Sequence, residues 1–330
     1  MKRKLLTIFL ILYISLCPIF SSCKIKGNDP LNTESESSEN FPYTFTDSLG
    51  KSITLDKKPK KVAVLFSSFV EIWLLSGGTV DITVGESIKR GFANEDVILV
   101  DDGSGHTTLN LEILISEMPD LVICTTDYAI QKETAEKLGA LGITAAAFKI
   151  ESLNDYLKVL KIFTDINGTP EIYHEHGVLI KEKTDSLLSK IESYIDEKEK
   201  TEILFIRAGS SAKSTKAKNS EDNFACKMLC ELGTHNIADD ASILLDGLSL
   251  EEILIRDPEY IFITSMGDEA ASKAYVNDLF EKDGWNNLSA VKEKKVIFLS
   301  KDTFHYKPNQ RWFEAYNFLA NTLYPELNTK

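Results

Sequence analysis

Apolar and polar residues recur along this chain with two periods, and the switch from one to the other marks a helix–strand unit that occurs twice. Residues 111–123 read L-E-I-L-I-S-E-M-P-D-L-V-I and residues 250–262 read L-E-E-I-L-I-R-D-P-E-Y-I-F; Leu111, Glu112, Pro119 and Asp120 fall opposite Leu250, Glu251, Pro258 and Glu259 without a gap. Leu111, Leu114 and Ile115, like Leu250, Ile253 and Leu254, keep the i, i+3, i+4 spacing that lays one face of a short helix on a core. Asn110 and Ser249 stand where an N-cap belongs, and Glu252 completes a capping box with Ser249. Each proline ends its helix, because the residue before it is pushed out of the α region, and the apolar run that follows predicts a buried strand. One such unit in each half predicts two similar α/β lobes.

The same pattern places the other elements. Tyr43 to Leu55 alternates around Ser48-Leu49-Gly50-Lys51 and predicts a hairpin at a lobe's edge. Lys61 to Phe66 predicts a buried strand, after which Ser67 and Ser68 open a helix over Phe69–Leu75 that Gly77-Gly78 closes. Further strands are expected at 80–84, 97–100, 121–124 and 143–148, with a helix over 129–141. Strands alternating with helices imply an α/β fold with a mostly parallel, helix-covered sheet, whose ligand crevice lies at the carboxyl ends of the strands. From Pro170 to about Glu197, Ile180, Leu187, Leu188, Ile191 and Ile195 recur at helical spacing among charged residues, which predicts one helix of roughly 40 Å. A stiff helix between lobes permits a small hinge and disfavours wide closure. The second half repeats the plan, with strands at 202–207, 260–264 and 295–299 and a helix over 223–232. A terminal helix from Pro308 to Leu323 buries Trp312, Ala315, Tyr316 and Leu319.

Ahead of this body, Lys2, Arg3 and Lys4 form a basic segment and Leu5 to Leu16 an apolar one. Phe20-Ser21-Ser22 then lead to Cys23. The arrangement resembles a bacterial lipoprotein signal, with Cys23 as the lipidated residue; the apolar stretch falls short of the roughly 20 residues a membrane span needs. Residues 23–40 are rich in Ser, Glu and Asn and predict a flexible tether. The expected organisation is a signal over 1–22, a tether over 23–40, lobes over 41–169 and 201–330, and a joining helix over 170–200. Three basic residues and no acidic one leave with the signal, so 34 basic residues face 50 acidic ones in the remainder. Such a surface argues against nucleic acid and anionic lipid as partners. Cys124, Cys226 and Cys230 read as small core hydrophobes rather than a disulfide or metal framework.

Taken together, several stretches carry a family resemblance over nearly the whole body. They are Phe45-Thr46-Asp47-Ser48-Leu49-Gly50-Lys51, the strand and Ser-rich loop before Glu71, both Leu-Glu…Pro-acid repeats, and Trp285…Leu288-Ser289-Ala290-Val291-Lys292…Val296. The segment 307–312, Lys-Pro-Asn-x-Arg-Trp, resembles one branch of the same family. The chain resembles the solute receptors of ABC importers for ferric siderophores, haem and cobalamin. The resemblance implies two Rossmann-like lobes joined by a long backbone helix and a ligand cleft between them. It implies no cofactor and no catalysis: a lipid-anchored, monomeric receptor faces the periplasm or exterior, captures an iron complex or related chelate and delivers it to a permease dimer with its ATPase. In that family a Glu in each lobe meets permease arginines, and the matching residues are Glu112 and Glu251. An exposed carboxylate in a first helical turn suits such a contact, although the helix dipole favours an acid there without any partner.

Ligand candidates come from loops after strands: Ser67 and Ser68, His106, Asp127 and Tyr128, Arg207 with Ser210 and Ser211, His305 and Tyr306, and Arg311. Arg offers a two-pronged fork to anionic oxygens, and aromatic rings supply flat walls. Arg207, at the end of an apolar strand, serves either a ligand or an internal ion pair. Ser67 and Ser68 serve either the ligand or the cap of the next helix, and Trp73, Tyr128 and Tyr306 either the cleft or the core. Two other readings stay open. A zinc or manganese receptor would join His106 and His305 with Asp127 or Asp302, while a sensory receptor or hydrolase would place other partners on the same fold.

Overall fold

The computed structural model describes residues 41–102, 108–195 and 200–327. Cys23 and His106 lie outside the described residues. Twelve strands are present among them: β1 (Tyr43–Thr46), β2 (Ser52–Leu55), β3 (Val62–Val64), β4 (Ile82–Thr83), β5 (Ile98–Leu99), β6 (Leu121–Thr125), β7 (Ala145–Phe148), β8 (Glu202–Ala208), β9 (Lys216–Ala217), β10 (His235–Asn236), β11 (Tyr260–Ser265) and β12 (Val296–Phe298). The first lobe holds a parallel sheet in the order β5-β4-β3-β6-β7, and the second a parallel β10-β8-β11-β12 with β9 antiparallel on β8.

The near-continuous apolar strands are explained by cover on both faces. On β6, Leu121 and Ile123 point into the large central core while Val122 and Cys124 join an outer cluster with Leu65 and Leu114. On β8, Ile203 and Phe205 face the same central core, and Leu204 and Ile206 face outward with Ile253 and Leu288. The central cluster runs unbroken from Val64, Phe148 and Leu160 to Phe205, Phe262 and Trp312, so the inner faces of both sheets share one core. Cys124 and Cys226 are buried free thiols, and Cys230 is half-buried and also free.

The hairpin β1–β2 guards the exposed edge of β7. Asp47, 6% exposed, accepts hydrogen bonds from the Leu49 and Lys51 amides at 2.9 Å and from the Ala147 amide at 3.1 Å. A carboxylate thus closes the turn and caps an edge strand at once, which blocks pairing with another chain.

The joining helix is one rod in three parts: Pro170–Tyr173 is α-helical, His174–Val178 takes a π turn, and Leu179–Ile195 continues as α-helix. Within the wider turn the His176 carbonyl accepts from the Tyr156 hydroxyl at 3.0 Å. Tyr156 belongs to the helix Leu153–Asn167, which the pattern analysis does not single out although Ser152 caps it by accepting from the Asp155 amide.

The internal repeat survives down to the backbone angles. The helices are Leu111–Glu117 and Leu250–Arg256, and each ends on a left-handed residue immediately before its proline, Met118 at φ 45° and Asp257 at φ 41°. Two details depart from expectation. Only Leu114 and Ile253 are buried; Ile115 and Leu254 are 38% and 40% exposed, because a helix of two turns touches the sheet along a single line. The Ser249–Glu252 capping box does not form: Ser249 makes no side-chain cap, and Glu252 pairs with Arg256 at 3.3 Å. Asn110 caps as expected, accepting from the Ile113 amide. No helix among the described residues is long and apolar enough to cross a membrane.

Candidate ligand-binding site

The carboxyl ends of both sheets face each other across a cleft. Phe66 follows β3, Glu86 follows β4, Asp127 and Tyr128 follow β6, and Glu151 follows β7; Arg207 and Thr264 are the penultimate residues of β8 and β11. With Asp222–Phe224 and the segment Phe304–Lys307 after β12, they enclose an inner cavity of about 190 Å³. An outer basin of about 840 Å³ is lined by Lys89, Arg90, Phe92, Lys301 and Arg311 among others, and Tyr306 lines both spaces.

Beside the cleft, a charge network ties the segment Lys307–Arg311 to the first lobe. Glu71, 8% exposed, receives Arg311 at 2.6 and 3.4 Å, the Asn309 amide group at 2.8 Å and Arg90 at 3.5 Å. Asn309 also donates to the Ser68 carbonyl at 2.9 Å, from a left-handed backbone at φ 55° that asparagine tolerates better than most residues. Arg90 donates to the Ser67 and Ser68 hydroxyls at 3.0 and 3.1 Å, and Ser67 donates to Glu86 at 2.7 Å. The Arg90 guanidinium lies over the rings of Tyr306 and Phe92, 4.0 and 4.6 Å from their centres. Burial pulls its pKa down, and Glu71 and Glu86 beside it oppose that shift. Lys307 reaches Glu151 at 2.9 Å and Asp127 at 3.3 Å.

Arg207 behaves differently from these cations. It lines the inner cavity, yet it has no hydrogen-bond or ion-pair partner for its guanidinium among the described residues, and its Nε is fully covered and unsatisfied. The carboxylates lining the same cavity are engaged elsewhere: Asp127 and Glu151 by Lys307, Asp222 by Lys218 at 2.7 Å, and Glu86 by Ser67.

The sequence candidates therefore separate. Tyr128, Arg207, His305 and Tyr306 line the inner cavity, and Arg311 lines the basin while bound to Glu71. Burial, with Glu86 and Asp127 adding to it, pushes the Tyr128 phenol up to about 12, and burial and Glu86 also raise Tyr306. Ser67 and Ser68 are fully buried and absorbed by the Arg90 network; Phe66 takes the N-cap position they were expected to fill. Ser210 and Ser211 are exposed, and neither lines either space; Ser211 instead caps the turn Ala212–Ser214. Trp73 is a core residue whose indole donates to the Thr79 carbonyl. Glu112 and Glu251 are exposed in the first turns of the repeated helices. His305 packs edge-on against Tyr306. Its proposed metal partner His106 is outside the described residues, and among these no group of three His, Cys, Asp or Glu side chains is placed to hold a metal ion.

Sequence reasoning passed over Glu86, Arg90, Glu151 and Phe224, and left Lys307 without a partner. Arg90 ends a five-residue helix, Gly85–Lys89, too short to show a period, and Glu151 lies 156 residues from Lys307.

Comparison with known proteins agrees with this geometry. Over 293 residues, 88% of each chain, the sequence is 24% identical to the uncharacterized ABC transporter substrate-binding lipoprotein YvrC of Bacillus subtilis (strain 168). The fold superposes on the periplasmic vitamin B12 binding protein BtuF of Vibrio cholerae with a TM-score of 0.65 at 18% identity, covering 82% of this chain and 98% of that one. It superposes on a protein of the ABC-type Fe3+-hydroxamate transport system of Saccharomonospora viridis with a TM-score of 0.63 at 18% identity, covering 86% and 99%. The sequence profile of the periplasmic binding protein family matches residues 62–303, and the chain belongs to that family of ABC-transporter solute receptors, which bind rather than transform what they carry.

Proposed function

We propose that this receptor captures a metal chelate, an iron complex or a haem- or cobalamin-like molecule, in the interlobe cleft and delivers it to the permease dimer of an importer. The observation that carries the reading is the cleft itself, set at the carboxyl ends of two parallel sheets and walled by aromatic rings, cations and carboxylates. The names of the B12 and Fe3+-hydroxamate relatives support a chelate as cargo. Lipid on Cys23 would hold the body at the membrane face, and Glu112 and Glu251, one per lobe, would meet cationic residues of the permease.

Native mass spectrometry of the full-length protein against ferric hydroxamate, haem, cyanocobalamin, zinc and manganese tests the cargo. A saturable shift with one chelate is expected; binding of a bare metal that is lost in His305→Ala would replace this reading with the zinc or manganese one. The double change Glu112→Lys/Glu251→Lys should abolish uptake in cells and leave binding intact. Uptake at the wild-type rate would remove both residues from docking.

A further inference from the structure

An inner space of about 190 Å³ is smaller than the roughly 300–1,000 Å³ that encloses a drug-sized ligand, so it holds one functional group rather than a whole chelate. Tyr306 forms a wall common to this space and to the basin of about 840 Å³ outside it. A single molecule with its bulk in the basin therefore lies beside a smaller space that an arm could enter.

The chemistry of that arm is set by Arg207. Every carboxylate on the cavity wall is bound to another side chain, whereas this guanidinium has no partner among the described residues and its Nε is sealed from water. A covered guanidinium nitrogen without an acceptor is unfavourable, and a planar pair of anionic oxygens matches its fork. Phe224 and Tyr128 line the same space. They flank the arm with flat surfaces.

We propose that the inner cavity is a carboxylate-arm subsite: the cargo is a chelate that carries a free peripheral carboxylate, which enters the inner cavity and binds Arg207 while the metal-bearing body rests in the basin over Tyr306 and Phe92. This inference rests on the chelate-receptor reading. It separates carboxylate-bearing chelates, such as haem or ferric citrate, from those whose periphery is amide or hydroxamate.

The test titrates full-length protein with haem, haem dimethyl ester, ferric citrate, metal-free citrate and cyanocobalamin. A carboxylate-bearing chelate is expected to bind on the order of 10- to 100-fold more tightly than its ester or the amide-rimmed corrinoid. Arg207→Gln should erase that difference without weakening the ester, a pattern that a merely structural role would not give, and Arg207→Lys should keep part of it. Equal binding of haem and its dimethyl ester, or a preference for the acid over the ester that survives Arg207→Gln, would overturn the arm subsite and leave the chelate receptor standing. Metal-free citrate binding as tightly as ferric citrate, and lost in Arg207→Gln, would keep the carboxylate subsite and overturn the chelate reading. Failure of every probe to bind would overturn both.

Discussion

Two regions of the cleft handle buried charge in opposite ways. In the segment after β12, Lys307, Asn309 and Arg311 each find first-lobe partners within 3.3 Å, and the result is a clamp between lobes. At the end of β8, Arg207 finds no such partner among the described residues, and its Nε is covered and unsatisfied. A cation whose partners are supplied by the protein contributes to the fold, whereas one left without them is available to something that arrives from outside. As residues near the strands' carboxyl ends Arg207 and Arg311 are both ligand candidates in the sequence; the presence or absence of partners divides them.

The comparison breaks most easily at Glu71. Replacing it by Ala leaves Arg90 and Arg311 without their shared acceptor in a largely buried site, and a loss of about 3–5 kcal/mol in unfolding free energy is expected by denaturant titration. A loss below about 1 kcal/mol would mean that the network carries little of the clamp. Next comes Arg207→Gln, which should leave stability within about 1 kcal/mol of the parent or raise it, since a buried nitrogen without an acceptor is removed. A large destabilisation there would show that Arg207 has a structural partner after all.

The smallest effect is alkaline. Burial holds the Tyr128 phenol at about 12, so its contribution to stability is fully present below the ordinary value near 10 and is lost as pH rises through about 12. Tyr128→Phe should therefore flatten the fall in stability between pH 10 and 12, partially, because Tyr156 and Tyr316 are raised by burial as well. An unchanged slope would place the phenol in water rather than against the cavity wall.

Much of the architecture was legible beforehand because it is written in short-range periodicity. Two-sided apolar strands, the proline after each repeated helix and the long charged helix each leave a signature within one or two turns of their own sequence. The repeat went further, giving matching left-handed residues at Met118 and Asp257. The faces of those helices were overestimated for a related reason: spacing says which residues share a side, but Ile115 and Leu254 show that it does not say how much of that side meets a core.

The sequence by itself determined an α/β receptor built from two related halves and named Tyr128, Arg207, His305 and Tyr306 of its inner cavity, while passing over Glu86, Glu151 and Phe224. Only the tertiary structure decided which of those residues are spoken for. Hydrogen bonds and ion pairs act within about 4 Å, while Glu71 and Arg311 stand 240 residues apart along the chain and Lys307 and Glu151 stand 156 apart. No local pattern encodes such a pairing, so the difference between a clamp at Arg311 and an open guanidinium at Arg207 exists only once the two sheets share a core.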